Sequence, residues 1–201
     1  MRPRLIFSLL LALVGGCASS EAIMVADGNR IAGSHMTVKP GSTWHKLPAS
    51  ANETSREEVW TWNGPQVDRL TLLPGLPDGK AMVSQESTAD QQVPVFRADM
   101  TAQDLASMIE VSYRVNGVTV FDFEAIEPVE FLGGAGVRLR YEYASGIGIA
   151  KRGRCVMRVV GRRLYVMKLE SVANHFDAVA PEFDQLVASA RLSDRVPSSA
   201  Q

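Results

Sequence analysis

Few residues in this chain are of types that do chemistry, and they are scattered. There are three histidines, His35, His45 and His175, far apart in sequence, and two cysteines, Cys17 and Cys155. No HExxH, CxxC, P-loop or GxSxG spacing occurs. A metal centre needs a cluster of His, Cys or carboxylates, and no segment supplies one. His175-Phe176-Asp177 would bring an imidazole and a carboxylate together at a helix entrance, where capping by Asp177 is the ordinary role. Gly133-Gly134 and Gly146-Ile147-Gly148 read as hairpin turns, since a phosphate-cradling loop needs a helix after it. With no convergent acid, base and nucleophile, the reading is non-enzymatic: no catalytic residue, no metal and no cofactor.

Two groups of side chains are suited to binding. The stretch Gly136–Ala173 holds three runs of alternating apolar and charged residues separated by glycine turns, a three-stranded antiparallel meander. Because strand side chains alternate faces, Val137, Leu139, Tyr141, Cys155, Met157, Tyr165, Met167 and Leu169 are expected on one side. Arg138, Arg140, Arg152, Arg154 and Arg158 are expected on the other, with Glu142, Lys168 and Glu170. A symmetric Ala144–Gly148 loop would oppose Arg140 to Arg152 and Arg138 to Arg154, and directly opposed like charges destabilise a sheet. Glu130 beside Arg138, and Glu170 beside Arg154 across a three-residue Gly161–Arg163 loop, would offset part of that repulsion. The uncompensated remainder centres on Arg140 and Arg152, a candidate face for an anionic partner such as a lipid headgroup, an acidic protein surface or a sugar acid. The alternative is a charge face paired internally or covered by an acidic helix. The second group is Trp44, Trp60 and Trp62, which could line an apolar ligand pocket under the long Leu73–Asp99 connection or be plain core. Cys155, on the inward parity, reads as a small core hydrophobe.

The elements that position these residues follow in order. Ser34–Pro48 reads as a short strand, a Pro40-Gly41 turn and a segment carrying Trp44. Glu58–Leu73 is a hairpin about Asn63-Gly64-Pro65. Thr101-Ala-Gln-Asp104 resembles a capping box ahead of a helix over 102–115, with Leu105, Met108, Ile109 and Ser112 on one face and Asn116-Gly117 as its stop. Val118–Leu132 reads as one or two strands interrupted before Pro128. Pro181 is suited to the first turn of a closing amphipathic helix whose stripe is Phe183, Leu186, Val187 and Ala190.

The N-terminus carries an address. Arg2 and Arg4 precede an apolar run, Leu5–Val14, too short to span a bilayer. It ends in Val14-Gly15-Gly16-Cys17, which resembles the bacterial lipobox. That resemblance implies cleavage after Gly16 and, on Cys17, a covalent diacylglycerol and N-acyl lipid, enough acyl chains for stable anchoring. Ala18-Ser19, rather than Asp, implies the outer membrane by resemblance to the bacterial sorting rule. With Cys17 lipidated, Cys155 has no partner for an internal disulfide. A net charge of −1 implies no bulk attraction to nucleic acid. The expected organisation is a signal peptide over 1–16, a lipidated tether over 17–33, a single domain over 34–192 and a polar tail over 193–201.

Strands, helix, antiparallel strands and helix make an α+β chain, a twisted antiparallel sheet flanked by helices. The meander followed by the helix Glu182-Phe-Asp-Gln-Leu-Val-Ala-Ser-Ala-Arg-Leu192 resembles the PsbP-like fold, shared by the Ran-binding nuclear-import factors and many bacterial lipoproteins. The resemblance implies an αβα sandwich and carries over no catalytic residue, because the fold hosts accessory and binding proteins. The expected function is a non-catalytic lipoprotein, an accessory or interaction module for an envelope protein at the periplasmic face of the outer membrane. The alternative is a small-ligand or lipid-binding lipoprotein that uses the tryptophans or the basic face.

Overall fold

The structure, a computed structural model, describes residues 23–25, 30–32, 36–41, 44–48, 57–84, 87 and 91–192. The expected signal peptide, Cys17, His35 and the expected polar tail over 193–201 lie outside the described residues.

Among the described residues, eleven strands and two helices follow in the order six strands, a helix, four strands, a helix and a last short strand. Strands β1 (Ile23–Val25), β4 (Trp44–Lys46), β5 (Glu58–Thr61), β6 (Asp68–Pro77), β7 (Phe121–Phe131), β8 (Gly134–Ala144), β9 (Ala150–Val160) and β10 (Arg163–Val172) form one antiparallel sheet, in the order β1-β4-β5-β6-β10-β9-β8-β7. β2 (Arg30–Ala32), β3 (Met36–Val38) and β11 (Arg191–Leu192) form a small second sheet. Helix α1 (Ala102–Val115) packs on one face of the large sheet and α2 (Phe176–Ser189) on the other. This is the expected α+β sandwich. Among the described residues no helix is long and apolar enough to cross a membrane.

Each helix is placed by its own chemistry. The Thr101 hydroxyl accepts from the Asp104 N–H at 3.2 Å and the Asp104 carboxylate accepts from the Thr101 N–H at 2.9 Å, so α1 starts at a reciprocal capping box. Leu105, Met108, Ile109 and Ser112 then face the sheet, as their spacing requires. In α2, Phe183, Leu186 and Val187 are buried as expected.

Four expectations are corrected. The folded region reaches back into the stretch read as a tether, because Ile23–Val25 pairs with Trp44–Lys46 and Arg30–Ala32 with Met36–Val38. β6 runs on through Pro74 to Pro77; Pro74 sits where a bulge between Leu164 and Tyr165 interrupts the ladder with β10. β7 is one continuous strand through Pro128, tolerated because β7 is the edge of the sheet and the missing N–H costs no ladder bond. Pro181 lies inside α2, which begins at Phe176.

Candidate functional site

The site follows from one tight turn. β9 and β10 are joined by Gly161-Arg162, both with positive φ (52° and 62°), the two-residue hairpin geometry. A two-residue turn pairs Val160 with Arg163 and shifts the register by one residue from that of a three-residue loop. The whole of β10 therefore changes faces relative to the sequence reading. Tyr165, Met167 and Leu169 join the core beneath α2, while Leu164, Val166, Lys168 and Glu170 turn toward α1. Glu170 stands beside Gly153, not Arg154.

Two charged side chains thus lie in an otherwise apolar layer, and a phenol cluster meets them. Tyr113, from the last turn of α1, and Tyr143, near the end of β8, both donate to Glu170 Oε1, at 2.5 and 2.7 Å. Lys168 Nζ lies 3.2 Å from Glu170 Oε2 and 4.9 Å from the centre of the Tyr113 ring. The hydroxyls of Tyr113 and Tyr141 are 2.9 Å apart. Tyr141 reaches this position because its cross-strand partner is Gly153; any Cβ there would lie within the tyrosine ring. Burial alone would raise the Glu170 pKa, but Lys168 and the two hydroxyl donors outweigh it and bring the carboxyl down to about 2. Burial, followed by the charge of Glu170, pushes the Tyr113 and Tyr143 hydroxyls well above the ordinary phenol range.

Beside this network lies a cavity of about 420 Å³. Its floor is β6 and β10, its wall is α1, its roof is Met82 and Val83, and its far end is Tyr143, Ser145 and Gly146. Apolar Leu73, Ile109 and Val166 share the lining with Glu57, Arg69, Thr71 and Lys168. Sequence reasoning missed this site. The available signal was the even parity that Lys168 and Glu170 share with Leu164 and Val166.

The residues singled out from sequence lie elsewhere. Trp44 and Trp60 are fully buried beneath α2, with Trp62 packed against them, so the three tryptophans do not line the cavity. The cavity lies on the opposite face of the sheet from the tryptophans; among the described residues of the Leu73–Asp99 connection, Leu73, Met82 and Val83 line it. The arginines do share one face, with a different register. Arg140 opposes Arg154, Arg152 opposes Glu142, and Glu127 rather than Glu130 opposes Arg138. Arg140 meets Glu127 at 2.9 Å, and Arg152 meets Asp177 at 3.0 Å, Glu142 at 3.3 Å and Glu124 at 3.8 Å. Arg154 and Arg138 share Asp184 of α2, at 2.5 and 3.9 Å. Arg158 donates to the Phe131 and Leu132 carbonyls at 3.1 and 2.5 Å. The unmatched patch expected at Arg140 and Arg152 is therefore occupied by the protein's own carboxylates, and Arg152 and Arg154 also lie over the Phe176 ring. Asp177 serves this pairing rather than a cap, since His175 is the N-cap residue and makes no side-chain cap bond. His175 instead lies 2.9 Å from the Asn63 amide. Cys155 is fully buried in the α1-side core, where burial pushes its thiol up to about 12.

No family model matches the chain, and no curated protein matches it in sequence. Solved structures do. The cyanobacterial PsbP protein CyanoP from Synechocystis is similar with a TM-score of 0.54 at 14% identity, over 90% of this chain and 99% of that one. A protein of unknown function from Pseudomonas aeruginosa has a TM-score of 0.40 at 16% identity, over 78% of this chain and 83% of that one. LpqN, involved in cell envelope biogenesis of Mycobacterium tuberculosis, has a TM-score of 0.43 at 12% identity, over 86% of this chain and 91% of that one. The likeness to CyanoP is one of fold: the PsbP-like sandwich is present, and no site residue comes with it.

Proposed function

We propose that this chain is a non-catalytic binding module that receives a small organic ligand between α1 and the sheet. Lipid on Cys17 would hold it at the periplasmic face of the outer membrane, as an accessory component of the envelope. The observation that carries the ligand reading is the cavity: about 420 Å³, of ligand-accommodating size, with apolar walls and a few fixed polar groups. The polar groups are prearranged. Glu170 locks Tyr113, Tyr143 and Lys168 in place, so binding does not have to order them.

The same bonding argues against catalysis. An acid or base needs a proton affinity near the working pH. Here the Glu170 carboxyl is down at about 2 and committed to three donors, and the tyrosine hydroxyls are pushed far above neutrality. The thiol of Cys155 is buried, and neither His45 nor His175 lines the cavity.

The test is to purify the mature protein from a bacterial envelope, denature it and look for a stoichiometric small molecule by mass spectrometry. The control is Val83→Trp, which puts a bulky ring at one of the residues that line the cavity. A ligand present in the wild type and lost in the variant, at unchanged melting temperature, is the expected result. No retained molecule, together with no melting shift from any compound of an envelope-metabolite panel, would overturn the reading.

A further inference from the structure

We infer that the ligand is an uncharged amphiphile, with an oxygen-bearing head group at Thr71 and Lys168 and an apolar chain over Leu73, Val166 and Ile109. This deepens the reading of the cavity as a ligand site and rests on it.

The floor of the cavity is graded. Across β6 and β10 the paired rows are Arg69 with Glu170, Thr71 with Lys168, and Leu73 with Val166. Successive rows are two residues apart, roughly 7 Å along a strand. The floor thus passes from fully charged to fully apolar within about 14 Å, and Ile109 and Met82 cover the apolar end. A ligand that matches this gradient is polar at one end only.

Charge accounting decides what kind of head it carries. The cations at the site are Arg69 and Lys168; the anions are Glu57 and, beneath the floor, Glu170. Lys168 is paired with Glu170, neither Glu57 nor Arg69 is without a partner, and the two cations and two anions cancel. A carboxylate or ammonium brought in here would leave the site with a net charge, and burying an unmatched charge is costly. A neutral oxygen meets no such penalty and finds two groups ready for it. Thr71 is 6% exposed, lines the cavity, and its hydroxyl makes no hydrogen bond among the described residues. Lys168 carries three donors, one committed to Glu170. Hydroxyl, ether and ester oxygens all satisfy this pair.

The test uses the full mature chain, residues 17–201, carrying Cys17→Ser so that no acyl chain of its own competes. Three eight-carbon probes of equal chain and different charge, monooctanoylglycerol, octanoate and octylammonium, are titrated by calorimetry below their aggregation concentrations. The neutral ester should bind at least about tenfold more tightly than either ion. Thr71→Val should weaken the ester by about fivefold, the worth of one neutral hydrogen bond, and leave the ions unchanged. Equal or tighter binding of octanoate or octylammonium overturns the inference and leaves the cavity reading standing, as does an ester affinity indifferent to Thr71→Val. If none of the three probes binds although a molecule is retained from the envelope, the inference fails alone. If none binds and nothing is retained, both fail.

Discussion

Glu170→Gln isolates the buried charge on which the site is built. The substitution keeps the shape and an acceptor for Tyr113 and Tyr143, and removes only the negative charge facing Lys168 at 3.2 Å. The magnitude follows from proton linkage. The carboxyl titrates near its ordinary 4.5 in the unfolded chain and at about 2 in the folded one. A depressed folded value stabilises the protein above the unfolded value and ceases to do so as pH falls through the folded one. At neutral pH the contribution is about 3 kcal/mol, and near pH 3 it has fallen to about 1 kcal/mol. Glu170→Gln should therefore destabilise by about 3 kcal/mol at pH 7, with Lys168 left in a partly buried setting without its counter-charge. The gap between the two proteins should narrow steadily as pH falls from 4.5 toward 2. The assay is urea unfolding followed by tryptophan fluorescence, at pH intervals from 7 down to 3, with equal m-values required of both proteins. A gap below about 1 kcal/mol at neutral pH, or one that does not change between pH 5 and pH 3, would refute an ionised, lysine-paired Glu170.

Four further outcomes are expected. Gly153→Ala displaces the Tyr141 ring and breaks its contact with the Tyr113 hydroxyl, so it should cost about 2–3 kcal/mol by thermal or urea unfolding, far beyond a surface glycine substitution. Asp184→Ala releases Arg138 and Arg154 together; with the Asp184 side chain 43% exposed, solvent screening holds the loss to about 1 kcal/mol, and high salt should shrink it further. The Cys155 thiol, buried and raised to about 12, should react with a thiol reagent at pH 8 only at the rate of unfolding, which labelling with and without urea will report. Cys17→Ser should abolish incorporation of labelled palmitate and move the protein from the membrane to the soluble fraction on fractionation.

Local signals in the sequence were reliable wherever the chain specifies its own geometry over a few residues. Thr101 and Asp104 satisfy each other's backbone N–H, so the start of α1 could be read to the residue. The alternation of Val137, Leu139 and Tyr141 likewise placed β8, because the strand period is set by the backbone itself. Pro181 misled for a converse reason. It suits a first turn, but α2 begins at Phe176, and the packing of Phe176 and Val179 against the sheet outweighs the hydrogen bond that proline cannot make.

The site itself depended on a quantity that local patterns do not carry, the number of residues in a turn. Gly161-Arg162-Arg163 is compatible with a hairpin of two or three residues, and the choice reverses every side chain of β10. With three, Lys168 and Glu170 would add to an already charged face, and Tyr165, Met167 and Leu169 would crowd the α1 layer. With two, those three fill the space beneath α2, and the pair of charges enters the α1 layer, where three tyrosines wait. Burying two charges is costly, so the register must be held by what the other face gains, the packing of Tyr165, Met167 and Leu169 against Phe183 and Leu186. The polar site is in this sense imposed by the apolar face behind it. A buried Lys–Glu pair with its own tyrosine donors is a poor way to stabilise a sheet compared with two aliphatic side chains at the same positions. Its presence beside a cavity makes sense if the chain needs fixed, already neutralised polar groups at one end of an otherwise oily cleft, which is also what an uncharged, one-ended ligand requires.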